Sequence, residues 1–165
     1  MTGMQSPGFD VLGFLHEPGR PASVATVTAS GHPALAMMWY AYEEDHLWFH
    51  SPETGPAPFL RAAAENRDVA VMVATFSPPD DVRQVRMTGP ARLAGRDEER
   101  VRRIYRRYVR AWSPAWDRQA ASASYRLWAM SPQRGMAVAY PGLANSPVFG
   151  WSEPAGLLAL RAELA

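Results

Sequence analysis

Residues 33–51 carry the sequence PALAMMWYAYEEDHLWFHS, in which two apolar and aromatic runs flank the acidic residues 43–45. Strand-forming residues on both sides of turn formers predict an antiparallel β-hairpin. Nearly every residue from 35 to 42 is apolar or aromatic, so both faces of this strand require cover, and a sheet with one solvated face covers only one of them. The pattern therefore favours a closed or nearly closed barrel, or a dimer that covers the outer face.

The composition narrows the class of protein. The chain has 165 residues, a net charge of +1, no cysteine and 17 basic residues that are all arginine. Without cysteine, disulfides, thiolate nucleophiles and zinc–thiolate sites are excluded, and without lysine so is Schiff-base chemistry. The length predicts a single domain, 1–165, with an N-terminal helix and lead-in at 1–21, a barrel core with helices at 22–140 and a tail at 141–165.

Hydropathy predicts a protein outside the membrane. The longest apolar run, residues 69–74, is far shorter than the ~20 residues that span a bilayer. The apolar cluster at 9–15 is short and follows no basic residue, unlike a secretory signal peptide. We therefore expect a cytoplasmic protein.

Hydrophobic periodicity places the remaining elements. It predicts a short helix near residues 9–15, a strand at 23–28, a short helix at 59–66, a strand at 69–76 buried on both faces, and an alternating strand from Val82 that bends at Gly89-Pro90. Residues 97–112 combine acids in a first turn, an apolar stripe and an arginine face, which predicts a longer helix. Two last strands are expected at 125–130 and 135–140. The fold class is mainly β with helices (α+β), a barrel of six or so antiparallel strands with one short and one long helix.

Most catalytic motifs are absent. No nucleophile elbow, phosphate-cradling glycine-rich loop or dinucleotide-binding fingerprint occurs in the sequence. His46 and His50 are four residues apart on a strand, which separates them by about 13 Å along one face, too far to share a metal ion. We expect His46 at the turn and His50 in a pocket or on the surface.

Two polar features leave alternatives open. The arginines of the long helix form either a solvated helix face or a site for an acidic coenzyme tail or an acidic partner, and nucleic acid is not a favoured partner. This arginine ridge comprises Arg100, Arg102, Arg103, Arg106, Arg107 and Arg110. Gln84 is either a surface residue of an edge strand or a donor and acceptor for the edge of a heteroaromatic ring.

The order of these segments resembles the pyridoxamine-phosphate-oxidase-like family of flavin-binding split β-barrels. The resemblance covers residues 22–93 and lies in the motifs at 23–27, 31–33, 38–40, 47–51 and 83–91. It implies an FMN-binding split β-barrel that forms a homodimer with cofactor sites at the interface. It also implies FMN as the cofactor, with an 8-hydroxy-5-deazaflavin coenzyme or haem as alternatives.

The resemblance also implies a set of cofactor-binding positions, whereas no catalytic residue and no metal site is predicted. Gln84 takes the ring-edge role, and if haem is the cofactor the candidate iron ligands are His50 or His16. The cofactor-binding set is Met37, Met38, Trp39, Tyr40, His50, Ser51, Thr54, Arg61 and Gln84.

The sequence departs from the family where members place cations for the FMN phosphate. Leu35, Tyr40, Pro56 and Ala57 stand there, and prolines 56 and 58 have no N–H to offer an anion. A charge-assisted hydrogen bond contributes ~1.5–3 kcal/mol, so losing two or three weakens binding by several powers of ten unless Arg61, Ser51 or Thr54 substitutes.

We therefore expect an oxidoreductase that uses a flavin-type ring for hydride transfer on a small-molecule substrate other than vitamin B6. The alternatives are a deazaflavin-dependent reductase, or a non-catalytic barrel that binds haem or another small ligand.

Overall fold

The computed structural model describes residues 10–139 and 148–158. The helices are α1 (Val11–His16), α2 (Pro58–Ala64), α3 (Glu98–Arg106), α4 (Pro114–Ala120) and α5 (Pro154–Leu158). The strands are β1 (Ala22–Val27), β2 (Pro33–Met38), β3 (Tyr40–Glu43), β4 (His46–Pro52), β5 (Asp68–Ala74), β6 (Arg83–Leu93), β7 (Tyr125–Met130), β8 (Arg134–Ala139) and β9 (Val148–Trp151).

The strands form one antiparallel sheet that curls on itself. Their order is β2-β1-β5-β6-β7-β4-β3, with β8 paired to β6 and β9 to β8. The two ends of this path, β2 and β3, are separated in sequence by Trp39 alone. The sheet must therefore bend until its ends meet, which confirms the split barrel of antiparallel strands with a few helices.

The predicted hairpin at 33–51 is only half right. β3 pairs with β4 across the turn at Glu44 and Asp45, both of which have positive φ. The first arm, however, is two strands, because β2 pairs with β1 on the other side of the barrel. At the break, the Tyr40 N–H donates to the Tyr108 hydroxyl at 3.0 Å instead of to a neighbouring strand.

Several element boundaries differ from the sequence prediction. The long helix ends at Arg106, a separate helix α4 follows at Pro114, and the strands number more than the six predicted. The start of the first predicted helix at Phe9 and the end of the last predicted strand at Tyr140 lie outside the described residues.

The prediction that the strand at 69–76 is buried on both faces is wrong, because β5 exposes alternate residues such as Ala70 and Met72. These residues belong to an outer apolar face formed by β2, β1 and β5. The side chains of Leu35 and Met37 are each 75% exposed and that of Met72 is 36% exposed. No described residue covers this face.

The core fills the inside of the barrel. Its largest fully buried side chains include Trp128, Tyr40 and Phe49. α1 closes one end, where the Asp10 carboxylate accepts from the Gly13 N–H at 2.9 Å and Phe14 and Leu15 are buried. Among the described residues, none of the helices has the length and hydrophobicity that a bilayer crossing requires.

Candidate functional site

A cleft of about 830 Å³ opens where the two ends of the sheet meet. Its walls come from the end of β2 and Trp39, the end of β4, the loop leading into α2, and residues of α3 and α4. The described residues that line it include no Arg, Asp or Glu. The cleft is therefore an apolar, uncharged site, with polar groups at only a few positions.

Aromatic rings form one wall of the cleft. Trp39 stacks on Tyr108 with ring centroids 4.9 Å apart and planes 8° apart, and it also contacts Tyr105 and Trp116 at 5.7 and 5.8 Å. The Trp39 side chain is nevertheless 38% exposed. A rigid indole that remains accessible is suited to stacking against a flat ring.

A small polar cluster lies beside these rings. The Nδ1 atom of His50 is 2.7 Å from the Tyr105 hydroxyl, which also contacts the Gln119 side chain. Burial lowers the pKa of His50 to about 4 and raises the pKa of Tyr105 to about 12. Both groups are uncharged at neutral pH, so this cluster offers hydrogen bonds without a net charge.

Ser51 connects the cleft to the core. Its hydroxyl accepts a hydrogen bond from Trp128 Nε1 at 2.9 Å and lies 4.0 Å from the Met38 sulfur. Ser51 is buried, and its position is therefore fixed by the packing of Trp128.

Six of the nine predicted cofactor-binding residues line this cleft, whereas Tyr40, Arg61 and Gln84 lie elsewhere. Tyr40 is fully buried and its hydroxyl donates to the Leu15 carbonyl at 2.9 Å. Arg61 pairs with Glu65 through Nε at 2.9 Å. Gln84 lies opposite Ala74 on the outer side of β6, since its neighbour Val85 points into the core. The six in the cleft are Met37, Met38, Trp39, His50, Ser51 and Thr54.

Further lining residues come from α2, α3, α4 and β7, and the sequence pattern did not predict them as part of a site. The periodicity of the long helix assigned Tyr105 to the core, and 95% of its surface is indeed covered, yet its hydroxyl faces His50. In the sequence, only the hydroxyl that Tyr105 adds to an apolar helix face pointed to a role in the site. The residues in question are Phe59, Leu60, Ile104, Tyr105, Ala115, Trp116, Gln119 and Tyr125.

The end of the cleft near α2 offers little to an anion. The residue before this helix, Ala57, has a left-handed φ of 34° and makes no side-chain cap, and Pro56 and Pro58 lack N–H groups. Phosphate groups in proteins are usually held by cations or by the free N–H groups of a helix start. This end of the cleft therefore lacks the groups that usually hold the phosphate of a cofactor such as FMN.

The arginine ridge is largely paired within the chain. Arg100 contacts Glu43, Glu44 and Asp97, and its guanidinium lies 3.9 Å above the Trp48 ring. Arg102 pairs with three carboxylates, Arg103 pairs with Glu43, and Arg107 donates to the carbonyls of residues 15–17. The acidic tail of a deazaflavin coenzyme would have to compete with these contacts.

The other histidines lie away from the cleft. Nδ1 of His46 is 2.6 Å from the Glu44 carbonyl at the β3–β4 turn, as expected from the sequence. His16 ends α1, where its ring contacts Tyr42 at 5.5 Å. Within residues 10–139 and 148–158, no cluster of three His, Asp or Glu side chains could hold a metal ion.

Comparisons with known proteins agree with this fold. A family model described as pyridoxamine 5'-phosphate oxidase matches residues 12–139. The heme storage protein HutZ from Vibrio cholerae is 15% identical, with a TM-score of 0.58 over 74% of this chain and 87% of that one. An F420 reductase is 20% identical, with a TM-score of 0.55 over 79% and 98% of the two chains.

A pyridoxamine 5'-phosphate oxidase homologue from Listeria innocua is 17% identical, with a TM-score of 0.53 over 80% of this chain and 96% of that one. The comparison with curated proteins gives no match. At such identities the solved structures establish the fold alone.

Proposed function

The chain belongs to the pyridoxamine 5'-phosphate oxidase family, and on that basis we propose that its cleft binds a planar ring of flavin type for an oxidoreductase reaction on a small molecule. The observation that supports this most directly is the uncharged aromatic cleft at the junction of β2 and β3. Small-molecule sites are typically concave and apolar, with a few polar groups that fix orientation. This cleft has that character.

The residues of the cleft have separate tasks in this proposal. A flavin ring supplies hydride transfer when bound. Trp39 stacks against the ring, and the thioethers of Met37 and Met38 adapt to its edge. The neutral pair of His50 and Tyr105 hydrogen-bonds to a polar edge of the ring or to the substrate. Because these side chains are mostly apolar, they also exclude water from the reacting atoms.

The proposal includes a second copy of the chain, which covers the outer apolar face. The outer apolar face of Leu35, Met37 and Met72 adjoins the cleft, since Met37 belongs to both. Contiguous exposed apolar side chains usually mark an interaction surface. We therefore expect native mass spectrometry of the riboflavin-loaded protein to report two subunits with bound rings, and a ligand-bound monomer would contradict this part of the proposal.

Replacement of Trp39 by alanine is expected to weaken riboflavin binding about tenfold. Aromatic stacking contributes ~0.5–1.5 kcal/mol beyond the burial of apolar area, and tenfold corresponds to ~1.4 kcal/mol. Titration of riboflavin with purified protein, followed by quenching of flavin fluorescence, measures both affinities.

The matched control is Phe76→Ala, which removes an aromatic ring that is 82% exposed and does not line the cleft. This variant should bind riboflavin as the unmodified protein does, and Trp39→Phe should recover most of the lost affinity. The proposal is contradicted if riboflavin, FMN and lumiflavin all leave the fluorescence unquenched.

Haem binding is the second candidate function, and a specific feature of His50 favours it. Iron is ligated by a neutral imidazole whose other nitrogen is usually held by a hydrogen bond. His50 has its Nδ1 held by Tyr105, and its Nε2 has no hydrogen-bond partner among the described residues. One of the structural neighbours, HutZ, is described as a heme storage protein.

If haem is the ligand, His50→Ala is expected to abolish the Soret shift that the unmodified protein produces in a haem titration. His16→Ala should leave the shift intact, because His16 lies at the end of α1 and does not line the cleft. Equal shifts with the unmodified protein and both variants would exclude His50 as the iron ligand, and a featureless titration would remove this candidate.

A further inference from the structure

We propose that the ligand of the cleft carries no phosphate, and that this protein accepts a neutral planar ring compound such as riboflavin at least as readily as FMN. The inference rests on the proposed function, because it concerns the same cleft and names the chemical class of its ligand. The proposed site differs from a site built for FMN, because the ring provides the binding free energy and a phosphate provides none.

The charge of the residues that line the cleft disfavours a phosphate. No arginine lies among the described lining residues, and the chain has no lysine. The histidine of the cleft, His50, is neutral at physiological pH because burial lowers its pKa to about 4. A phosphate that entered this site would lose its hydration without gaining a counter-charge from the lining residues of its own subunit, which is costly in a partly desolvated environment.

The backbone near the start of α2 also disfavours a phosphate. Pro58 is the first residue of this helix, Pro56 lies two residues before it, and neither has an N–H. Ala57 between them has positive φ and offers no side-chain oxygen or nitrogen. Most side chains at this end of the cleft, such as Pro52, Pro56 and Phe59, are instead apolar, and the hydroxyl of Thr54 is the polar exception. They suit a neutral side chain on the ring better than an anion.

The nearest competing source of positive charge on α2 is Arg61. It pairs with Glu65 at 2.9 Å, and Glu65 in turn contacts Arg67 at 3.4 Å. Nη1 of Arg61 is buried without a hydrogen-bond partner, but Arg61 does not line the cleft. To reach a phosphate there, the Arg61 side chain would have to move into the cleft. This movement is the alternative that the experiment must exclude.

Riboflavin and FMN form a matched pair of probes, because they share the ring and the ribityl chain and differ only in the phosphate. Titration by fluorescence quenching at low and at high salt is expected to give riboflavin a dissociation constant equal to or below that of FMN. The ratio of the two constants should not change with salt, because no ion pair forms. If FMN binds at least tenfold more tightly than riboflavin at low salt, the inference is overturned.

Two variants sharpen this comparison. Arg61→Gln should leave both affinities unchanged, and a loss of FMN affinity alone would show that Arg61 reaches the phosphate and would overturn the inference. Pro56→Arg places a cation at the apolar end of the cleft and should improve FMN binding at least tenfold relative to riboflavin binding in the same variant. If FMN gains nothing over riboflavin in this variant, the lack of a cation is not what disfavours the phosphate, and the inference is overturned.

Inorganic phosphate tests the inference independently of any ring. The thermal unfolding of the protein in phosphate should match that in chloride at equal ionic strength, and stabilisation by phosphate that Arg61→Gln removes would overturn the inference. The two proposals fail differently. If neither flavin binds, the proposed function is wrong, whereas preferred binding of FMN contradicts only the absence of a phosphate site.

Discussion

Trp128→Ala is expected to lower the free energy of unfolding by about 3–5 kcal/mol, the range for removal of a large buried aromatic side chain. Trp128 is fully buried and stacks on Phe49 with centroids 4.5 Å apart, and Phe59 lies 6.5 Å away on a nearly parallel plane. Its Nε1 also donates to Ser51. Alanine would leave a cavity between β4, β7 and α2 and would remove the donor that fixes the Ser51 hydroxyl.

Urea-induced unfolding measures this loss, and two controls separate its causes. Trp128→Phe keeps most of the ring volume and should retain most of the stability, with the remaining loss reporting the hydrogen bond to Ser51. Phe76→Ala removes an exposed ring and should change the free energy of unfolding by less than about 0.5 kcal/mol. A loss below about 1 kcal/mol for Trp128→Ala would mean that the barrel does not depend on this side chain.

The second large effect is expected from Gly89→Ala. β6 pairs with β8 up to Thr88, with β5 up to Pro90 and with β7 from Ala91, so Gly89 lies where the strand passes between the two parts of the sheet. A Cβ atom at Gly89 would overlap the backbone carbonyl of Ser131. Because the obstacle is backbone and not a flexible side chain, we expect a loss of about 3 kcal/mol, the upper end of the usual overpacking cost.

Thermal unfolding is a suitable measurement, since ~3 kcal/mol corresponds to a decrease in Tm of roughly 6–12 °C for a chain of this size. Gly95→Ala is the matched control, because a Cβ there meets no atom within 4 Å. It should leave Tm unchanged or slightly raised, as the unfolded chain becomes less flexible. If both variants unfold at the same temperature, the close approach of Gly89 to Ser131 does not limit stability.

The sequence was sufficient to predict the class of fold and most strands, because these depend on local patterns. The alternation along β6 was visible as a period of two in the sequence, whereas the strand continues through Gly89-Pro90, where a bend was predicted. The division of the first hairpin arm was not visible. At the division, the Tyr40 N–H donates to the hydroxyl of Tyr108, which is 68 residues away, and no local pattern reports such a contact.

The candidate site was likewise predicted only in part from the sequence. The residues from 37 to 54 that line the cleft came from one continuous stretch, so a resemblance in that stretch was sufficient to identify them. Tyr105, Trp116 and Gln119 reach the cleft only because α3 packs against β4 and α4 packs against α3, and periodicity could assign Tyr105 only to the core. The pairing of Arg100 and Arg103 with Glu43 likewise required tertiary contacts between distant segments.

The single-residue junction at Trp39 has a consequence for how long a ligand stays bound. The two strands it joins are the terminal strands of the sheet, and terminal strands are usually the first to open in local unfolding. Since Trp39 is also a wall of the cleft, opening of either strand would displace that wall and, if a ring stacks on Trp39 as proposed, would release it. For the proposed ligand, we therefore expect the residence time to follow the opening rate of the sheet edges, so that a substitution in β2 or β3 far from the cleft shortens it without removing a ligand contact.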